Sequence, residues 1–380
     1  MNWVFLDALP WEYDIATPSE RPLGGSQSAL CYLAVALARR GHEVAAVTGT
    51  SRTGTVQGVR CVPQEHFGHA LIRPPNTIVV VLNGPAELGR ELRKYVPSTL
   101  CVVLWVQHAT NQPAVWGLRD PQLRAVWNRI VCVSDWQRTT YRVELGVSES
   151  QSEVLRNAVA PAFAGRWRTE ASFYEAKAGV PKLAYTSTPF RGLDHLLNCF
   201  PAIQGRHPTC ELHIYSSLQV YFDPESRDPY QSLYARCRGL AGATYHGSVG
   251  QNVLAERLGA VHVLAYPNSF AETSCIAVLE ALAAGAWVVT SDRGALPETC
   301  QGWATLVAPA NENRSVADFE RDYVDAVDQV LTFRRDGPEA FTARQYRQAT
   351  AVQAACNWDT RAAEWEAAGE RWLASATPRN

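Results

Sequence analysis

Nothing in this 380-residue chain approaches the roughly 20 consecutive apolar residues that a membrane-spanning helix needs. The start is equally uninformative as an address: Met1 is followed by Asn2-Trp3-Val4-Phe5-Leu6-Asp7, with no basic opening and an apolar run too short for a secretory leader. An excess of charge of one sign is also missing. Lys and Arg total 35 against 37 Asp and Glu, a formal charge of -2, which is too balanced to supply the phosphate-driven affinity of a dedicated nucleic-acid binder. The ten cysteines stand singly, with no C-x-x-C pair, and most lie inside apolar runs, so they read as reduced core thiols of a cytoplasmic protein. No spacing of His and Cys suits a metal site, and no short repeat or low-complexity tract occurs.

What is present is apolar material in quantity, 47% of residues against 19% charged, enough for two buried cores at this length. Short apolar runs alternate with helical patterns along the whole chain, the signature of parallel sheets covered by helices on both faces. In the first half the expected strands are 3–9, 43–48, 77–82, 100–106 and 129–133, with helices over 26–40 and 135–145. The texture changes near Asn157-Ala158-Val159-Ala160-Pro161, and the pattern then restarts with strands expected at 182–186, 210–215, 243–246, 261–266, 286–290 and 304–307. The α/β fold class follows: two doubly wound, Rossmann-like domains over 1–165 and 166–357. A C-terminal helix and tail occupy 358–380, the helix opened by Asp359 or Thr360. Ligands of such sheets sit at the carboxyl ends of the strands, so the facing rims of the two domains define the cleft to search.

The richest segment is Val261 to Thr299. A strand ends near Tyr266, a loop carries Glu272, and an almost wholly apolar helix, expected over 274–284, holds one charge, Glu280. A carboxylate amid Cys275-Ile276-Ala277-Val278-Leu279 and Ala281-Leu282-Ala283-Ala284 is costly to desolvate unless hydrogen-bonded, and a ribose diol offers two suitable donors. An exposed stripe would explain Glu280 alone. With Glu272 eight residues earlier, placed to meet sugar hydroxyls, the pair favours function. In the first half, Gly24 and Gly25 let backbone amides approach an anion at the start of the Ser26 helix.

This ordered set resembles the retaining GT-B glycosyltransferases of the large E-x7-E family, the group 1 glycosyl transferases. The resembling elements are Glu272, Glu280, the small-residue helix to Gly285, the strand Ala286-Trp287-Val288-Val289, and the turn Asp292-Arg293-Gly294-Ala295-Leu296-Pro297-Glu298. Leu23-Gly24-Gly25-Ser26, Arg40-Gly41-His42-Glu43-Val44, Val133-Ser134-Asp135-Trp136-Gln137 and Leu155-Arg156-Asn157 extend the likeness over nearly the whole chain.

The resemblance implies a nucleotide-diphosphate-sugar donor, a saccharide, lipid-linked or small-molecule acceptor, and transfer with retention by front-face attack. Glu272, His108 and Arg191 would be catalytic. Donor binding would fall to Gly24, Gly25, Arg191, Glu280 and the helix-start segment Thr273, Ser274, Cys275 and Ile276. Asn83 and His108 would face the acceptor. Arg191 can grip two phosphate oxygens and cannot lose its charge. Two departures matter: Thr186 stands where many relatives carry an Arg, and Thr273 stands where they carry a Gly, so donor-sugar preference does not transfer.

No D-x-D motif occurs, and with no metal-ligand spacing either, the expectation is a metal-independent enzyme without cofactor. The run Arg119, Arg124, Arg129, Arg138 and Arg142 reads first as a solvated helix face, while leaving room for peripheral contact with the inner face of a membrane. A GT-B sugar phosphorylase, a nucleotide-sugar epimerase and a non-catalytic nucleotide-sugar binding subunit are the rival readings.

Overall fold

The computed structural model describes residues 1–73, 76–94, 96–97, 100–167, 169–221 and 227–376, so the last four residues of the expected tail lie outside it. The chain forms two compact units. One comprises 1–20, 24–158 and 357–380; the other comprises 21–23 and 159–356.

The first unit is built on an eight-stranded sheet in the order β3-β4-β2-β1-β5-β6-β7-β8. Its strands are β1 (Asn2–Asp7), β2 (Glu43–Thr48), β3 (Gly54–Val56), β4 (Val59–Pro63), β5 (Thr77–Leu82), β6 (Cys101–Trp105), β7 (Arg129–Cys132) and β8 (Ser152–Val154). All pairings are parallel except β3 with β4. The central runs TIVVVL of β5 and CVVLW of β6 are buried at every position, as strands covered on both faces must be. The sequence pattern passed over three short strands. β3 and β4 form a hairpin whose turn residues Gln57 and Gly58 both have positive φ (51° and 83°), the backbone such tight hairpins require. β8 has only three residues, too few to show periodicity.

The Trp358–Ala376 helix belongs to this first unit. Asn357 caps it, its Oδ1 accepting from Thr360 N–H at 2.8 Å, in place of the expected Asp359 or Thr360. Trp365 lies edge-on to Trp105 (5.0 Å between ring centroids) and to Trp3 (6.1 Å), and all three rings are buried. Burying each such ring contributes about 2 kcal/mol. A Cβ on Gly369 would stand 2.8 Å from the Trp3 ring, so that position must be bare for the helix to seat.

The second unit holds a six-stranded parallel sheet ordered β11-β10-β9-β12-β13-β14, from β9 (Lys182–Tyr185), β10 (Glu211–Ile214), β11 (Ala243–Tyr245), β12 (Val263–Tyr266), β13 (Trp287–Ser291) and β14 (Ala304–Val307). In each sheet the chain first winds outward in one direction and then returns to wind in the other. The direction changes between β1 and β5 in one unit and between β9 and β12 in the other. Loops diverge there at the carboxyl ends and open a crevice. Among the described residues no helix is long and apolar enough to cross a membrane, and all ten cysteines are free and buried.

Candidate active site

The switch point of the second unit brings two expected residues together. Arg191 follows β9 and Glu272 follows β12, and the Arg191 guanidinium Nη1 donates to Glu272 Oε1 at 2.7 Å. The same oxygen accepts from the Tyr266 hydroxyl at 2.6 Å. Glu272 is 4% exposed and Tyr266 1%, so both bonds are charge-assisted and shielded from water, the regime in which they are strongest. Arg191 also lies over the ring of Phe270 at 4.6 Å and of Phe190 at 5.4 Å. The sequence reading had no place for Tyr266. Its signal was positional: it is the last residue of the strand that ends at the switch point, six residues before Glu272.

Two glycines explain why this geometry is reached. Gly192, at φ +110°, lies so close to the neighbouring loop that a Cβ would stand 2.1 Å from Pro267 O. Gly294, at φ +62°, would put a Cβ 2.5 Å from Glu272 O, and the next residue, Ala295, donates its N–H to that same carbonyl at 2.7 Å. A side chain at either position would separate the loops and meet backbone strain as well. The Glu272 loop is further tied by Ser291 Oγ to Asn268 O (2.7 Å) and by Asn268, which bonds Phe270 through both its amide nitrogen and its oxygen.

Glu280 occupies the helix Ile276–Ala283, shorter at both ends than expected, with Cys275 at its N-cap. The residue is 3% exposed, which removes the exposed-stripe reading. Its carboxylate accepts from Ala160 N–H and from the Gln251 side chain, while Oε1 has no partner among the described residues. Burial pushes the carboxyl up to about 8, only partly opposed by those two donors. Unpartnered buried polar atoms are uncommon and call for an explanation. Others lie along the Arg191 loop: Arg191 Nε and the hydroxyls of Thr186 and Thr188.

Helix starts differ in their caps. Ser134, Thr169 and Ser315 cap their helices with side-chain oxygens. Cys275, Gly192 and Gly24 make no such bond, as is also true of Pro85, Tyr230, Gly250 and Gly337 at other helix starts.

The first unit carries the remaining expected residues at its own switch point and on the strand beside it. Gly24 and Gly25 open the Gly25–Arg39 helix after β1. Asn83, after β5, adopts φ 50°, rare for a residue with a side chain, and its Oδ1 accepts from Gln107 N–H at 2.7 Å, tying it to the loop that carries His108. The His108 carbonyl accepts from Tyr141 OH at 2.8 Å and Gln137 Nε2 at 2.9 Å. The arginine run is largely engaged: Arg124 clamps the carbonyls of Leu118, Arg119 and Leu145, Arg138 pairs with Asp135, and Arg142 with Glu149.

With that geometry in hand, residues 181–332 match the family described as glycosyl transferases group 1. That segment, about two fifths of the chain, is similar to the group 1 glycosyl transferases. It contains Arg191, Glu272, Glu280 and the Gly294 turn. No curated protein matches the chain. Solved structures do. The sucrose-phosphate synthase of Thermosynechococcus elongatus aligns with a TM-score of 0.70 at 15% identity, covering 99% of this chain and 100% of that one. The α,α-trehalose 6-phosphate synthase of Burkholderia multivorans aligns at 0.67 and 13%, covering 99% of each. WaaG, a glycosyltransferase involved in lipopolysaccharide biosynthesis, aligns at 0.61 and 16%, covering 92% of this chain and 95% of that one. At these identities the likeness establishes the fold, which is GT-B.

Proposed function

We propose that the protein is a retaining glycosyltransferase that moves a sugar from a nucleotide-diphosphate-sugar donor to an acceptor hydroxyl, in the biosynthesis of a glycan or glycoconjugate in the cytoplasm. The observation that carries this reading is Glu280: a buried carboxylate, raised in pKa, with an oxygen left unpartnered in the helix directly after the Glu272 loop. A ribose diol would supply the donors that this oxygen lacks. Arg191 and the amides of Thr273 to Ile276 would take the diphosphate, and Glu272 the sugar. We assign Gly24 and Gly25 to the donor phosphates, and Asn83 and His108 to the acceptor.

Front-face attack needs no carboxylate nucleophile. The leaving diphosphate takes the acceptor proton, and its growing charge is met by preorganised donors, Arg191 and the amides at the start of the Ile276–Ala283 helix. These donors do the work that a metal does elsewhere, so turnover should survive excess chelator; complete loss, restored by magnesium or manganese, overturns that part of the reading. A panel of nucleotide sugars, scored by thermal shift and by product analysis, tests the whole. Nucleoside diphosphate with a new glycoside is expected. Sugar phosphate or an isomerised donor would establish a phosphorylase or an epimerase instead, and binding without turnover a non-catalytic subunit.

A further inference from the structure

The second unit contains a cavity of about 600 Å³ at the other end of its sheet. It is lined by Pro181, which directly precedes β9, and by His207, Pro208 and Thr209, just before β10. It therefore opens at the amino ends of the strands, away from the Arg191 and Glu272 loops at their carboxyl ends. None of the residues proposed for sugar transfer lines it.

Its charges are unevenly satisfied. Of the basic groups on the wall, Arg206 pairs with Asp325 and Asp328, His207 with Asp328, and Arg335 with Asp336. Lys177 and Arg334 have no carboxylate partner among the described residues. Lys177 is 4% exposed; its ammonium donates to Val261 O and stands 5.5 Å from the Phe173 ring centroid. Arg334 donates to Gly179 O, two residues along from Lys177. Burial first, and then the charges of Lys177 and Arg334, hold the His262 imidazole neutral. Burial also draws the Lys177 ammonium down to about 7. Two basic groups of one wall are thus held on carbonyls alone, and an anion with oxygens for both would favour their charged forms. The rim is different in kind: Glu339 and the Tyr174 ring line it, and Glu339 has no cationic partner among the described residues.

We propose that this cavity binds a small hydroxylated phosphomonoester, a sugar phosphate by chemical class. Its phosphate is taken by Lys177 and Arg334, and its hydroxyls donate to Glu339. The volume lies within the range of small-molecule sites, ~300–1,000 Å³, and exceeds what a phosphate ion fills. The site is independent of the proposed sugar transfer.

The test is calorimetry on the full chain with saturating nucleoside diphosphate, titrating a hexose monophosphate, inorganic phosphate and the free hexose separately. The expected result is saturable binding of the hexose monophosphate, tighter than that of either fragment. Lys177→Met and Arg334→Gln should each weaken it by about tenfold or more, the loss of one charge-assisted contact, and Glu339→Gln should narrow the gap between hexose monophosphate and inorganic phosphate. Lys177→Met removes a buried charge and is expected to fold, so it decides the matter if Arg334→Gln does not. No saturable binding to the wild-type chain, or binding unchanged in both cation variants, overturns the proposal.

Discussion

Glu272 and Glu280 sit eight residues apart, equally buried, and are provided for in opposite ways. Glu272 has its charge answered within the fold: Arg191 and Tyr266 bond one oxygen, and Gly192 and Gly294 let the surrounding loops close on it. Glu280 has two donors and a bare oxygen, and its carboxyl is displaced to about 8. The difference separates preorganisation from anticipation. A group that must hold a fixed orientation while charge redistributes is best locked by the protein. A group that recognises a ligand can leave its hydrogen-bonding capacity unfilled until the ligand arrives.

The largest effect should come from the locked member. Glu272→Ala is expected to lower turnover by at least about 10²–10³-fold, the scale for removing one preorganised polar group. It also strands Arg191, 22% exposed, against Phe270, and breaking a buried pair costs about 3–5 kcal/mol. Glu272→Gln keeps two acceptor contacts and should lose activity with a smaller fall in melting temperature. Near-normal turnover by either variant removes Glu272 from the chemistry.

For the anticipating member the loss should appear in affinity. Glu280→Ala and Arg191→Ala should each weaken nucleoside diphosphate binding by roughly ten- to a hundredfold, the value of one charge-assisted contact of about 1.5–3 kcal/mol. His108→Ala should impair turnover and leave that affinity nearly intact. If calorimetry shows the reverse, with His108→Ala destroying nucleotide affinity and Glu280→Ala not touching it, the division of labour is wrong.

A smaller change probes the lock itself. Tyr266→Phe keeps the buried ring against Tyr185 and deletes the 2.6 Å bond to Glu272 together with a longer 3.4 Å contact to Ser187 Oγ. If that bond orients the carboxylate, kcat should fall by about tenfold, with KM for the donor little changed. An unchanged kcat with a lowered melting temperature would make Tyr266 a packing residue only.

How much of this could be read from the residues differs with the kind of information. Strands such as β2, β5 and β14 were legible to the residue, because a continuous apolar run bounded by polar turns has few alternatives. Glu280 was legible because a charge in an apolar helix is an anomaly in one dimension. The Arg191–Glu272 pair was not, since 81 residues separate its members and only the strand order β9-β12 makes them neighbours. Gly294 read as a turn residue and Gly192 drew no reading, and the close approaches that forbid a side chain at either exist only once the loops are folded. The last helix was likewise legible as a helix, but not what it packs on. Trp3 and Trp105 supply that surface.

The finest distinction between the two carboxylates is a proton. Glu280 should be mostly protonated at pH 7 without ligand, because its carboxyl is raised from an ordinary 4.5 to about 8. For an acid raised on folding, the native state binds the extra proton. The associated stability is complete below about pH 4.5 and is lost as pH rises through about 8. The melting temperature of the ligand-free chain should therefore carry a downward component between pH 5 and 8 that Glu280→Gln removes. Hydroxyl donors from a ribose favour the ionised carboxylate, so nucleoside diphosphate binding at pH 7 should release a proton from this group. Calorimetry in buffers of low and high ionisation enthalpy measures the number released. The ligand's own phosphate contributes equally to the wild-type chain and to Glu280→Gln, and the difference between them isolates the carboxyl. A difference approaching one proton fits a carboxylate that completes its hydrogen bonds on the ligand. If the two chains release the same number, Glu280 keeps its proton or never meets the nucleotide, and the contrast with Glu272 is only one of hydrogen-bond partners within the fold.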